Sequence, residues 1–302
     1  MDKRLAGISK DKLSETITAY LFLAPTIILW LIWFFYPTVQ SFFISFQDFN
    51  YINPAKNHFV GLGNYVKLFR DTYFYLAFKN SAILVFFVVP LQSFIALVVA
   101  IVLNSGIKLR NLFRTIYYVP YVISPIAVAT VFMYLFVQDT AIVKFLSIFG
   151  LKNVTWFADM DQALAFIAII YVWQQIGFYM VVYLGGLQTI PAETYESSVI
   201  DGATSFKKFI YITLPMLKPV TFFVLTYGMI NAFQIFDQVA AVARSSTLGS
   251  PAGATSTLVT FLYLQSFRYM EMGYGSASAV VLFLCIFIIA LIQKRLTGHD
   301  EI

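Results

Sequence analysis

The side chains best suited to chemistry in this sequence are polar or aromatic groups that interrupt otherwise apolar stretches. They are Gln92, Trp173, Gln174, Gln175, Tyr179, Tyr227, Asn231, Gln234 and Asp237. Asn231, Gln234 and Gln238 recur at helical spacing on one face, with Asp237 beside them. Amides and a carboxylate hydrogen-bond to hydroxyl groups, and aromatic rings offer flat apolar surfaces. The set predicts a path for a hydroxyl-rich solute; the alternative is that these groups bond neighbouring helices to one another.

No combination of residues in the sequence indicates catalysis. The histidines, His58 and His299, fall in a predicted loop and in the C-terminal tail, away from the apolar stretches. The sequence has no GxxxxGK[ST] phosphate loop, no GxGxxG after a strand and no HExxH. We therefore expect a protein that is not an enzyme, with no catalytic residue, no metal site and no cofactor. Nucleotide hydrolysis would belong to another chain.

Ionisable groups are scarce in the apolar stretches, and Asp237 is the one acid that we place at or near membrane depth. Carriers driven by protons or Na⁺ usually hold several such groups, because ion coupling needs ligands at the midplane. This scarcity favours a transport step driven by a partner protein. An ion-coupled secondary transporter or a channel for a small polar solute is the alternative.

The composition indicates an integral membrane protein. Apolar residues make up 60% of the chain and charged residues 12%, and the mean hydropathy is +0.78. The basic balance, 20 Lys and Arg against 15 Asp and Glu, suits loops that face an inner leaflet, and we predict no binding of nucleic acid. The single cysteine, Cys285, excludes an intramolecular disulfide.

Six apolar stretches are long enough to cross about 30 Å of hydrocarbon as helices. The predicted fold class is therefore all-α, a polytopic membrane protein with spans at 17–36, 80–103, 116–137, 163–184, 219–239 and 274–293. The predicted organisation is an N-terminal tail at 1–16, a transmembrane domain at 17–293 and a C-terminal tail at 294–302. Prolines 25, 90, 120 and 125 predict kinks.

Lysine and arginine are distributed unequally between the two sides of this topology. Twelve fall on the side that holds both termini and the 191–219 segment, and eight fall on the other side. Because cytoplasmic loops carry the excess, we predict that both termini and 191–219 are cytoplasmic. The predicted outer segments are 37–79, 138–162 and 240–273.

The 191–219 segment is the longest charged connection with helical periodicity between two apolar stretches. Pro191 and the acids that follow it predict the start of a helix. Gly202 is expected at a bend, where it supplies a positive φ or lets another backbone approach. Ser205 is predicted to cap a second short helix that ends before Pro215.

Short motifs in this segment resemble those of a known family. Glu196-Ser197-Ser198 stand before Val199-Ile200-Asp201-Gly202-Ala203, and Ile212-Thr213-Leu214-Pro215 close the segment. The order resembles the coupling loop E-A-A-x-x-x-G…I-x-L-P of permease subunits in binding-protein-dependent ABC importers, in the group that imports oligosaccharides, related sugars and glycerol phosphates. Both alanines are serines here. Further similar words are Phe59-Val60-Gly61-Leu62, Gly185-Gly186-Leu187-Gln188 and Met272-Gly273-Tyr274-Gly275; the 244–254 insert departs from the pattern.

The resemblance implies a role for each part of the chain. The residues that would couple to an ATPase are Glu196, Ser197, Ser198, Asp201, Gly202, Ala203, Leu214 and Pro215. The expected partners are a second permease subunit, two ATPase subunits, an extracytoplasmic solute-binding protein, membrane lipid and a sugar or oligosaccharide substrate. The expected location is the cell membrane of a prokaryote.

Overall fold

The computed structural model describes residues 10–137, 140–148, 157, 159–243 and 248–297. The predicted tails and the 244–254 insert therefore lie partly outside the described residues.

Helices account for most of the described residues, which confirms the all-α prediction. The helices are α1 (Lys10–Trp30), α2 (Tyr36–Ile44), α3 (Gly63–Leu68), α4 (Thr72–Asn104), α5 (Arg110–Val122), α6 (Pro125–Leu135), α7 (Ala141–Ile148), α8 (Met160–Gln188), α9 (Ala192–Ile200), α10 (Ser205–Lys208), α11 (Leu214–Met216), α12 (Lys218–Phe233), α13 (Asp237–Ala243), α14 (Leu258–Tyr263) and α15 (Met272–Thr297). π-Helical stretches lie at Leu31–Phe35, Phe209–Thr213 and Leu264–Arg268, and a 3₁₀ turn lies at Pro54–Lys56. Strands β1 (Gln47–Asp48) and β2 (His58–Phe59) form a short antiparallel pair.

Five helical stretches of the described chain are long and apolar enough to cross a membrane, and a sixth candidate is a bent pair of helices. The five are Ser14–Ile44, Thr72–Asn104, Met160–Gln188, Lys218–Ala243 and Met272–Leu296. The predicted third span at 116–137 is sharply bent, because α5 and α6 meet at an angle of 98°, so the kink predicted at Pro125 is confirmed. Pro125 is the cause, since a proline disfavours helical backbone at the residue before it and cannot donate to the preceding turn.

Prolines 25, 90 and 120 lie within helices, whereas Pro125 is the first residue of α6. The fifth predicted span, 219–239, is also interrupted. Helix α12 ends at Phe233, and α13 begins at Asp237. The predicted common face of Asn231, Gln234 and Gln238 is therefore divided between two helices.

Helices α4 and α8 form the centre of the bundle, and α5 and α12 pack against them. Leu84, Val88, Ile167 and Tyr171 lie in the main apolar core. Small residues permit close helix contacts in lipid. Gly177 of α8 is the closest such contact with α5, because a Cβ built there would overlap the carbonyl oxygen of Tyr117 and lie 2.8 Å from Cα of Tyr118.

One end of the bundle gathers the strands, α3 and the start of α15. Lys67 forms an ion pair with Glu271 at 2.6 Å and lies 4.2 Å from the ring centre of Tyr274. Gly273 lies directly against the carbonyl of Gln47, where a Cβ would overlap it. These contacts attach the 45–70 region to α15.

The first span differs from the others in its surroundings. In the most apolar window of Ser14–Ile44, 0% of the residues are buried by the rest of the chain, against 44% for Thr72–Asn104 and 50% for Met160–Gln188. Its apolar surface is therefore left to lipid or to another protein.

The close contact at Gly177 gives the first testable prediction. Gly177→Ala should force α5 away from α8 and destabilise the protein by about 1–3 kcal/mol, as overpacking typically does. The loss should appear as a lower midpoint when the purified protein is heated and then resolved by size-exclusion chromatography.

Gly185→Ala is the matched control in the same helix, because no described atom lies within 4 Å of the Cβ position there. It should match or slightly exceed the wild type, since alanine favours helix over glycine. Equal midpoints for both variants would contradict the close approach of α5 and α8.

Candidate functional site

The 191–219 segment begins with a discrete short helix that ends in a local glycine motif. Pro191 stands before α9 as its N-cap, so the helix starts at Ala192, one residue later than predicted. At its end, Gly202 has φ +72° and donates its N–H to the Val199 carbonyl at 3.0 Å, and Ala203 N–H donates to Ser198 at 2.9 Å. This pair of bonds is a Schellman motif, which favours glycine at that position. The expected positive φ at Gly202 is confirmed.

Helix α9 is fastened to the bundle on one face. The Tyr195 hydroxyl and the Thr213 hydroxyl are hydrogen-bonded at 2.9 Å. Ser198 is buried on the same side and donates to the Tyr195 carbonyl at 2.6 Å. Leu187 of α8 and Leu217 before α12 are buried in the apolar cluster against which Tyr195 packs. These contacts join α9 to the end of α8 and to the start of α12.

The second part of the segment corrects two predictions. Thr204, rather than Ser205, caps α10, because its side chain accepts from Lys207 N–H at 3.4 Å. The second short helix does not end before Pro215. It continues through the π-helical stretch and α11, with Leu217 as the single turn residue before α12. Pro215 lies at the junction between the π-helical stretch and α11.

The exposed face of this segment carries large apolar side chains next to charged ones. Ile200 is 87% exposed, Phe206 74% and Tyr211 75%. Glu196 and Asp201 are exposed beside them. Large exposed apolar side chains in a polar surround are typical of a protein interaction site. No described atom of the chain lies within 4 Å of a Cβ at Gly202, so this point is open to a partner.

Of the predicted path residues, Gln174 serves a structural role. It is 1% exposed. Its Nε2 donates to the Ile123 carbonyl at 2.9 Å, and its Oε1 accepts from Nε2 of Gln238 at 3.1 Å. Ile123 lies at the break between α5 and α6. The two amides thus hold the break in place, and the structure does not direct Gln174 toward an opening.

Tyr179 is also enclosed. Its side chain is 0% exposed, on the inner side of α8. Its hydroxyl and both amide atoms of Gln92, on α4, are buried with no hydrogen-bond partner among the described residues. Gly228 of α12 lies next to both groups, since a Cβ there would be 2.9 Å from Gln92 Nε2 and 3.3 Å from the Tyr179 hydroxyl. In this conformation Tyr179 therefore packs between helices.

The remaining predicted path residues reach a surface of the chain. Trp173 is exposed, and its ring centre lies 5.1 Å from that of Phe132. Asn231 is half-buried and donates to the carbonyl of Tyr227 in its own helix at 2.8 Å. Gln234 is exposed and Asp237 half-buried at the break between α12 and α13. Among the described residues, no group of His, Cys, Asp or Glu could hold a metal ion.

A strip of aromatic rings across α5, α8 and α12 joins Tyr227 to residues that were not predicted. The ring centres are 5.6 Å apart for Tyr118–Tyr121, 4.9 Å for Tyr121–Phe178, 5.3 Å for Phe178–Tyr227 and 5.7 Å for Phe223–Tyr227. The rings are partly exposed. Their sequence signals are the three-residue spacing of Tyr118 and Tyr121 and the four-residue spacing of Phe223 and Tyr227. The sequence does not show that these pairs and Phe178 come together, since the strip is assembled from three helices.

Comparison with known proteins identifies relatives along almost the whole chain. Residues 92–298 match a family model described as "Binding-protein-dependent transport system inner membrane component". The arabinooligosaccharides transport system permease protein AraP of Bacillus subtilis (strain 168) is 35% identical over 94% of this chain and 90% of its own. The lactose transport system permease protein LacF of Rhizobium radiobacter is 32% identical over 96% of this chain and 97% of its own.

The fold is similar to a chain in a bacterial alginate ABC transporter, solved in complex with alginate pentasaccharide-bound periplasmic protein. The TM-score is 0.81 at 22% identity, over 98% of this chain and 97% of that chain. At that identity the likeness concerns the fold alone.

The amide pair at the helix break gives the second prediction. Gln174→Leu should remove the donor to the Ile123 carbonyl at the break and the acceptor of the buried Gln238 amide, and leaving a buried polar group unpaired costs about 1–3 kcal/mol. Thermal unfolding of the purified protein should show the loss as a lower midpoint.

Gln175→Leu is the adjacent control, because Gln175 is only half-buried and takes no part in these bonds. Its midpoint should stay near that of the wild type. If Gln174→Leu were equally stable, the amide pair would not support the break.

Proposed function

Because this chain belongs to the family of binding-protein-dependent transport system inner membrane components, among the permeases of sugar ABC transporters, we propose that it forms part of the translocation path and couples it to separate ATPase subunits. The observation that carries the proposal is the exposed surface of α9 and α10. Ile200 of α9, Phe206 of α10 and Tyr211 of the π-helical stretch are exposed, and Tyr195 of α9 is hydrogen-bonded to Thr213 of that stretch. A rigid helix held in a cleft of another subunit transmits a displacement without covalent chemistry.

The proposed coupling residues are those of the segment described above. They are Glu196, Ser197, Ser198, Asp201, Gly202, Ala203, Leu214 and Pro215. Within this set, Ser198 is buried toward the bundle and Ser197 is exposed. We assign Ser198, which is buried and bonded to the Tyr195 carbonyl, to the attachment of α9, and Glu196, Ser197 and Gly202 to the contact with the ATPase.

The proposed assembly contains a second permease subunit, two ATPase subunits and an extracytoplasmic solute-binding protein. The exposed first span, Ser14–Ile44, supports a second permease, since it offers apolar surface that the chain itself does not cover. The likeness to a transporter solved with its periplasmic protein supports the binding protein. The Lys and Arg distribution supports cytoplasmic termini and a cytoplasmic 191–219 segment.

The proposed substrate is a sugar or oligosaccharide. Two relatives are named for arabinooligosaccharides and lactose. The aromatic strip that contains Tyr121, Phe178 and Tyr227 supports the same class, because partly exposed rings stack against the apolar faces of sugars. Trp173, Asn231, Gln234 and Asp237 remain proposed contacts. Gln174 and Tyr179 act in this proposal by positioning helices.

Gly202 tests the coupling proposal. Asparagine tolerates a positive φ at little cost, so Gly202→Asn should preserve the fold. Its side chain should nevertheless block a partner that approaches the open position. We expect normal expression and thermal stability, reduced co-purification of the ATPase subunit and loss of uptake, and the same for Gly202→Asp.

Gly106→Asn is the matched control. Gly106 also has a positive φ, +80°, and no described atom within 4 Å of a Cβ there, but it lies in the loop between α4 and α5. Transport in this variant should stay normal. If Gly202→Asn binds the ATPase and transports like the wild type, Gly202 only ends a helix and the coupling proposal loses its support.

The substrate path gives a further prediction. Asn231→Ala and Gln234→Ala should weaken uptake while the complex still assembles, because each removes hydrogen bonds to a hydroxyl-rich substrate. One such bond is worth about 0.5–1.5 kcal/mol, or roughly 2- to 12-fold. Radiolabelled sugar uptake in whole cells measures it.

Gln40→Ala on α2 is the control, since Gln40 is exposed and outside the proposed path. Its uptake should equal that of the wild type. Wild-type uptake in both Asn231→Ala and Gln234→Ala would assign these residues to packing.

A further inference from the structure

A pocket of about 500 Å³ opens at the end of the bundle that carries the strands, away from the 191–219 segment. Its walls come from the start of α4, the 248–256 loop, α14 and the π-helical stretch after it, up to Tyr269. We propose that this pocket binds one unit of a neutral saccharide on the outer side, before the sugar enters the path. The proposal rests on the proposed function and names an additional site for its substrate.

Aromatic groups dominate two sides of the pocket. Tyr73 is 69% exposed and Tyr269 is 54% exposed. Phe261, which also lines the pocket, is buried. Exposed tyrosine rings above an apolar wall offer the surfaces on which sugar rings stack, and their hydroxyls remain available to hydrogen-bond.

The polar groups of the lining are uncharged. Ser250, Ser256 and Gln265 contribute hydroxyl and amide groups. Of the described residues that line the pocket, none is charged. Hydroxyls and amides pair with the hydroxyls of a sugar. A lining of hydroxyls and amides among the described residues suits a neutral saccharide better than a phosphate or a carboxylate.

The loop that forms the wall is held firmly by α4. Nδ2 of Asn80, which is 5% exposed, lies within hydrogen-bond distance of three carbonyls of the loop: 3.3 Å from Gly253, 3.0 Å from Ala254 and 3.0 Å from Ser256. The Thr255 hydroxyl donates to Ser250 at 2.7 Å. A wall fixed before the ligand arrives loses little conformational entropy on binding.

The pocket also adjoins the proposed path. The Thr257 hydroxyl, just after the loop, donates to the carbonyl of Ile235 at 2.8 Å. Ile235 lies in the break between α12 and α13, next to Gln234. The loop that forms a wall of the pocket is therefore bonded, one residue beyond Ser256, to the break that carries Gln234.

Cysteine protection tests the site in the assembled transporter without its binding protein. In a Cys285→Ser background, Ala252→Cys places a thiol on an exposed position of the lining. An impermeant maleimide should label it from outside. Arabinotriose, maltotriose or lactose at saturating concentration should slow labelling severalfold if the transporter imports that sugar. Ala55→Cys, exposed in the 3₁₀ turn, should show no protection.

Ring variants separate stacking from general effects. Tyr73→Ala and Tyr269→Ala should raise the sugar concentration needed for half-protection by about 2- to 10-fold, the range of one aromatic contact. Tyr75→Ala is the matched control. Tyr75 lies two residues after Tyr73 on α4, is also 69% exposed and does not line the pocket. Its half-protection should not change.

Each other outcome overturns the inference. If the wild type imports a sugar of the panel but that sugar gives no protection, the pocket is not a saccharide site and the proposed function stands. If only the binding protein protects Cys at position 252, the pocket is a docking surface. If no sugar of the panel is imported or protects, the inference fails together with the proposed sugar substrate.

Discussion

A helix that breaks within a membrane frees backbone carbonyls that no water can reach, and this constraint governs how the bundle is built. The chain has two such breaks, α5 to α6 and α12 to α13, among its described spans. At the first, the Ile123 carbonyl accepts from Gln174. At the second, the Ile235 carbonyl accepts from Thr257. Gln238 joins the two breaks through its bond to Gln174, and α6 packs on α13 beside it.

The same constraint explains why a polar residue in a span is a poor guide to a solute path. Gln174 and Asn231 have the same amide group and both lie on span helices. Gln174 donates to the Ile123 carbonyl at the break between α5 and α6. Asn231 donates to a carbonyl of its own helix and stays half-buried. Which partner such an amide finds depends on the groups of the neighbouring helix that face it. The spacing of residues along a single helix carries no information on those groups.

The sequence therefore predicts some parts of this protein well and others poorly. The helical class, the span positions and the positive φ of Gly202 follow from hydropathy and local glycine chemistry, which act within a few residues. The bend at Pro125 was expected only as a kink, because the angle depends on packing against α13. The aromatic strip and the Asn80 contacts with the 253–256 loop join residues far apart in sequence, so only the folded chain reveals them.

Exposed apolar side chains mean different things at different depths of the molecule. Phe86 on α4 is exposed along a span, where hydrocarbon covers it. Ile200 and Phe206 are exposed on the segment between two spans, next to exposed Glu196 and Lys207. Charged groups are costly in hydrocarbon, and large apolar groups are costly in water at about 25 cal/mol per Å² of exposed surface. A surface that mixes both within a few helical turns fits neither solvent, and it fits an interface with another protein.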